Sequence, residues 1–187
     1  MQQVTVSIPD SQGETASALS AQVAHWLSAG ELPSELLTGH PLIDREHRFL
    51  IDAMANLRKV CIDMTRFTDC TACSLSQQSR CEKNVISLLG DIFSFILEHF
   101  RHEEQIMRNS MLQVVDYAVC RAHIEDHAEI ATKVQQIVAA LDSSQTLFRI
   151  RELDTLLERW VTNHITLHDM LLSRWVADYE PQLNAPA

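Results

Sequence analysis

Four stretches of this chain repeat apolar residues every three or four positions, and each sets a histidine inside its apolar stripe. Over 41–60 the stripe is Ile43, His47, Leu50, Met54 and Leu57, running on to Cys61. Over 82–109 it is Leu88, Ile92, Phe95, Ile96, His99, Glu103 and Ile106. Over 116–141 it is Cys120, His123, His127, Ile130, Val134, Ile137 and Leu141. Over 146–178 it is Leu153, Leu157, Trp160, His164, Leu171 and Trp175. Residues at that spacing share one face of an α-helix. Pro41 suits a first helical turn, and Asp142, Ser143 and Ser144 break the chain and can cap a new start. Four amphipathic helices with modest connections bury their stripes as a bundle. The expected fold is all-α: an antiparallel up-down four-helix bundle with an extra N-terminal helix. That extra helix spans 14–29, carries Leu19, Val23, Trp26 and Leu27, and is stopped by Gly30 and Pro33. The expected organisation is an N-terminal extension over 1–38, the bundle over 39–178 with a cysteine-bearing connection at 65–81, and a tail over 179–187. The first dozen residues read as disordered or loosely packed.

Composition narrows the function classes. A formal charge of −10 offers nothing to neutralise phosphate, so no nucleic-acid partner is expected. The most apolar segment, 85–100, is interrupted by Asp91, Glu98 and His99, so no membrane helix is expected. The N-terminus lacks a basic region followed by an apolar run, and five cysteines are an odd number for a disulfide framework. Both point to the cytoplasm.

Burying an imidazole or carboxylate among Leu, Ile and Phe costs several kcal/mol unless something satisfies it. One buried His is ordinary, because a hydrogen bond can satisfy it. Four helices each carrying one require a common cause. His99 and Glu103 stand four apart, as do His123 and His127, so each pair lies on one helix face and can converge on one ion. His47 and His164 add a ligand from the first and fourth helices. This set suits iron, zinc or copper, held in the bundle core.

The segments HPLIDREH, HFRHEE, HIEDH and HITLHD resemble the successive ligand motifs of the hemerythrins, especially the bacterial ones. The resemblance covers roughly 41–175 and runs as a lone His, then H-x-x-x-E, H-x-x-x-H and H-x-x-x-x-D. It implies two non-haem iron ions with an oxo or hydroxo bridge. One would be held by His123, His127 and His164, the other by His47 and His99, with Glu103 and Asp169 bridging both. Five imidazole nitrogens, four carboxylate oxygens and a bridge counted twice fill all but one of the octahedral positions. The open one falls on the iron with two His, where the resemblance implies dioxygen as ligand; an open position is likewise what separates catalytic from structural zinc sites. Spacing alone disagrees at one point. Five residues from His164 is about 140° around an α-helix, so spacing nominates His168. The resemblance nominates Asp169, reaching in from the flank or beside a π-bulge. A carboxylate bridges two ions as an imidazole does not. Glu104, His25, His40 and His102 read as surface, junction or supporting residues.

Cys61, Cys70, Cys73 and Cys81 place four thiols within twenty-one residues, as C-x8-C-x2-C-x7-C. They suit a second metal, an iron–sulfur cluster or a thiol switch, with inert reduced thiols as the plain alternative. Cys120 reads as a small core residue.

The functional expectation is a diiron protein that binds dioxygen, an oxygen or redox sensor module serving a signalling output domain or partner protein. No catalytic residue is assigned. The alternatives are a diiron enzyme of ferroxidase or peroxidase type, a simple oxygen carrier or store, and a structural zinc bundle. Ferritin-like diiron enzymes use Glu-x-x-His pairs, and the sequence contains none.

Overall fold

A computed structural model describes residues 21–27, 32–61 and 69–183, and the regular elements among them are all helical. Besides 3-10 turns at Ser34–Leu36 and Ser143–Gln145, they are in chain order α1 (21–27), α2 (Pro41–Val60), α3 (Leu75–Asn109), α4 (Leu112–Val115), α5 (Tyr117–Ala139), α6 (Thr146–Arg159), a π-helical segment (Trp160–Asp169) and α7 (Met170–Leu183). The expected N-terminal helix over 14–29 is seen only as α1, and Leu19 and Gly30 lie outside the described residues. So do the first dozen residues and 184–187.

Helix α2 begins at Pro41 as expected. Its entry is folded over by Asp44, whose carboxylate accepts from Thr38 N and Thr38 Oγ1, each at 2.7 Å, and from Gly39 N at 3.2 Å. Gly39 takes a φ of 80°, a left-handed turn that a side chain would resist.

Helix α3 starts at Leu75, seven residues before the expected 82. Ser74 and Gln77 form a capping box: Ser74 N donates to Gln77 Oε1 at 2.8 Å, and Gln77 N donates to Ser74 Oγ at 3.3 Å. The S-x-x-Q signature of such a box is present in the sequence, within a segment too polar to show an apolar stripe. The cysteine-bearing connection, expected over 65–81, therefore stops at Ser74, and Cys81 belongs to α3. At the other end Met111, with a φ of 60°, separates α3 from the short α4 that periodicity did not show. Asp116 then caps α5 by accepting from Val119 N at 3.1 Å.

The fourth stretch is one helical run from Thr146 to Leu183, broken in character by the π segment. Each π turn takes up one extra residue, so the apolar stripe shifts phase beyond it. The sequence pattern placed Leu171 inward. Instead Leu171 is 41% exposed and Leu172 is 1% exposed.

Two apolar clusters hold the helices together. The larger joins Val23 and Trp26 of α1 to Leu50 and Met54 of α2, Ile92 and Ile96 of α3, Val134 of α5, Leu153 and Leu157 of α6, and Trp160. The smaller joins Met107, Leu112, Cys120, Leu172 and Val176. Each large apolar side chain fully buried here contributes about 1.5–3 kcal/mol. Along α3, α5 and the π segment, the buried polar residues fall in the interval where the larger cluster gives way to the smaller: His99 and Glu103 around Phe100, His123 and His127, and His164 and Asp169 around Ile165. No helix among the described residues is long and apolar enough to cross a membrane.

Candidate metal centre

All seven nominated residues meet in that interval. His47 and Asp169 are 0% exposed, as is Glu103, and His99, His123 and His164 are each 1% exposed. His127 is 3% exposed. They form two groups compact enough to hold an ion each: Glu103, His123, His127 and His164, and His47, His99, Glu103 and Asp169.

The two carboxylates split their oxygens between the groups. Glu103 Oε2 lies 3.0 Å from His127 Nε2, 3.4 Å from His123 Nε2 and 3.7 Å from His164 Nε2. Its other oxygen, Oε1, is 3.6 Å from His99 Nε2. Asp169 Oδ1 is 3.0 Å from His164 Nε2 and 3.2 Å from His123 Nε2, while Oδ2 is 3.0 Å from His47 Nε2. Each carboxylate thus offers one oxygen to a three-imidazole side and one to a two-imidazole side.

The π segment brings Asp169 in. Bonding from i to i+5 places the fifth residue over the first, so His164 and Asp169 share a face that an α-helix would deny them. His168 is left half-buried beside the site, stacked on His123 with ring centroids 5.0 Å apart, and joins no group with Glu103.

Four imidazoles are oriented from outside. His99 Nδ1 donates to Glu46 at 2.9 Å, His164 Nδ1 to Asp126 at 2.6 Å, His47 Nδ1 to the Leu36 carbonyl at 3.3 Å, and His127 Nδ1 to Glu104 at 3.5 Å. Those partners only accept, so a ring that gives its Nε2 to a cation would keep its proton on Nδ1 and donate it outward. This is the outer support that metal-binding imidazoles ordinarily have. Of these partners the sequence pointed only to Glu104. Glu46 and Asp126 each precede a ligand-type His by one residue, which puts them about 100° around the helix, and nothing in one chain shows which neighbour that direction meets. His102, read as a surface residue, shares Glu46 with His99 through a 2.6 Å bond from its Nδ1. His40 Nδ1 is buried without a hydrogen-bond partner and supports none of the seven.

The residues fit a pair of cations. His99 Nε2, His123 Nε2, His164 Nε2, Glu103 Oε1 and Asp169 Oδ1 are buried with no hydrogen-bond partner, all facing the shared interior. Two buried carboxylates among neutral imidazoles also need positive charge. In the metal-free molecule protons supply it. Burial pulls His164 down, but Asp169 and Asp126, followed by Glu103, outweigh that and hold it well above the usual imidazole range. His99 and His123 are raised against burial in the same way, chiefly by Glu103 and Asp169 respectively. Burial pushes Glu103 up, yet His99 and the three imidazoles opposite hold it well below the usual carboxylate range. Burial prevails at His127, which is lowered.

Aromatic rings wall the site from water. Phe100 stacks on His127 with centroids 3.8 Å apart, Phe95 stacks on His99 at 5.5 Å, and Trp160 lies 5.8 Å from His99.

The model of the hemerythrin HHE cation binding domain matches residues 38–176, and the chain belongs to that family. A bacteriohemerythrin of Stenotrophomonas maltophilia (strain R551-3) is 24% identical to it over 131 residues, 70% of this chain and 71% of that protein. No solved structure matches it significantly.

Glu46 gives a local test of the outer support. Glu46→Gln should weaken binding of a cation beside His47 and His99 by about 10–100-fold, while a cation beside His123, His127 and His164 would be held nearly as before. Competition against a chelator of known affinity reads both. Equal loss at the two positions, or none, would show that Glu46 does not orient His99.

Proposed function

We propose that the chain is a non-haem diiron protein that binds dioxygen, serving as an oxygen or redox sensor rather than as an enzyme. The observation that carries this reading is the split of Glu103 and Asp169 between two imidazole groups. His123, His127 and His164 would hold one iron, His47 and His99 the other, and the two carboxylates would bridge them. Ferrous iron would supply electrons for dioxygen at the position that the two-His side leaves open. The chain's own residues bind and orient: Glu46, Asp126 and the Leu36 carbonyl fix ring tautomers, and Phe95, Phe100 and Trp160 exclude water. Five His against two carboxylates favour binding over oxygen activation.

The architecture that we infer is an antiparallel up-down four-helix bundle over 39–178, with 1–38 as an extension and 179–187 as a tail. Contact order along the helices supports it. His47 meets Asp169 while Arg58, further along α2, pairs with Asp154 and Glu158. Likewise Glu46 meets His99 while Cys81 reaches Val60. A site touching α2, α3, α5 and the π segment can pass a change of ligation into helix packing, and so to an output domain or partner protein. The acidic charge and the absence of a membrane-length helix among the described residues suit a cytoplasmic setting.

Anaerobic reduction of the iron-loaded protein followed by air tests the reading. A visible charge-transfer band that appears with oxygen and reverses under vacuum supports reversible binding, as in a carrier or ligand sensor. A single conversion to a stable diferric form supports a redox sensor. Bound zinc with no response to oxygen would overturn both.

A further inference from the structure

Four cysteines that the metal centre does not use meet at the far ends of α2 and α3. Cys61 follows the last residue of α2, Cys70 and Cys73 frame the turn before α3, and Cys81 lies in the second turn of α3. All four line one small pocket, closed by Thr146, Leu147 and Ile150 of α6. Each thiol is partly buried, and none is in a disulfide.

The turn is built to hold its place. Cys73 N donates to the Cys70 carbonyl at 3.1 Å, and the Gln78 amide donates to the carbonyls of both Cys70 and Cys73, at 2.9 and 3.1 Å. Cys81 Sγ points across to the Val60 carbonyl at 3.6 Å, beside Cys61. Among the described residues the lining contains no histidine and one carboxylate, Asp69, which is engaged by Thr71 N at 2.8 Å.

We propose that Cys61, Cys70, Cys73 and Cys81 form a second metal site that takes one zinc ion through four thiolates. A C-x-x-C turn with one further cysteine from each flanking helix supplies the tetrahedral, sulfur-only set of a closed structural zinc site. Four S–H bonds give up their protons to solvent, and four sulfur lone pairs form the four Zn–S bonds, leaving a net charge of −2. The N-terminal turns of α3 and α6 border the pocket, and their positive dipole ends favour that charge. Burial, then the nearby sulfurs of Cys61, Cys73 and Cys70, hold the Cys81 thiol above its usual range. Without an ion the sulfurs do not close on a point: no three of them lie within 4.8 Å of one another. Zn–S bonds of about 2.3 Å would draw them to about 3.8 Å apart, which rotation of partly exposed side chains can achieve. Cys61 stands fourteen positions beyond His47 along α2, about 21 Å of helix, so the two metal sites are independent.

The test is to purify the full chain with a reductant from cells supplied with zinc and iron, then measure both metals and titrate the thiols. One zinc ion per chain beyond the iron is expected, with four thiols becoming reactive only after chelation. Cys73→Ser and Cys81→Ser should lose that zinc and keep the iron. Should those variants fail to fold, cobalt added to the wild-type chain should give an intense sulfur-to-cobalt charge-transfer band, which histidine and carboxylate ligands do not produce. The proposal is overturned by freely reactive thiols with no retained zinc, by a mass lowered through disulfide formation, by sulfide-containing iron in place of zinc, or by a cobalt protein without the sulfur band.

Discussion

Glu103→Ala should strip both iron positions at once, leaving a helical chain with well under one iron ion per molecule. Glu103 is common to both buried groups, with one oxygen turned to each. Removing a partner outside the ligand set typically costs about 10–100-fold in metal affinity. A carboxylate that bridges two ions and supplies half of the buried negative charge should cost more, at least about 100-fold at each position. His47→Ala is the informative contrast. His47 faces only the two-imidazole side, so its loss should empty that position and leave the ion among His123, His127 and His164. Elemental analysis after gel filtration, with circular dichroism to confirm the helices, reads both variants. If Glu103→Ala retained two iron ions, or His47→Ala lost both, the shared-carboxylate arrangement would be wrong.

Iron loading should raise the melting temperature, and the gain should widen as pH rises. With free metal near a thousand times its dissociation constant, binding to the folded state alone adds about 4 kcal/mol. For a chain of this size that is about 8–16 °C. The pH dependence follows from the direction of the shifts. In the metal-free fold His164, His99 and His123 are raised, so their protonation stabilises that fold fully below the unfolded imidazole value of about 6.5. The contribution is lost as pH climbs through the raised values. Glu103 and Asp169 are depressed, so their contribution persists until strongly acid conditions. Metal binding needs the neutral rings and displaces those protons, so affinity declines as pH falls and already does so above about 6.5. Scanning calorimetry of loaded and metal-free protein between mildly acid and mildly alkaline pH should show the two melting temperatures diverging upward. A gap that narrowed with pH would contradict the charge arrangement.

Much of this site was legible because its residues violate the pattern around them. A stripe of Leu and Ile interrupted by His at helical spacing exposes His99, Glu103, His123 and His127 without further help. His47 and His164 followed as the histidines set in the stripes of the other two helices, whereas Asp169 needed the ligand order of the whole chain, since it stands on the wrong face of an ideal helix. The reason is the π segment, which reads in sequence only as an exception to the α period. The same extra residues moved the buried position from Leu171 to Leu172. Helix α2 was placed to the residue by Pro41, whereas the start of α3 was missed, although the Ser74–Gln77 capping box marks it. Glu46 and Asp126 were not foreseen as supports, because their role depends on which helix packs beside them.

Anomalous diffraction at the iron edge from crystals of the loaded protein bears most directly on the paired site. Two peaks are expected about 3.5–4 Å apart, one among His123, His127 and His164 and one between His47 and His99, with Glu103 and Asp169 spanning them. A single peak, or scattering at the zinc edge instead, would contradict the account.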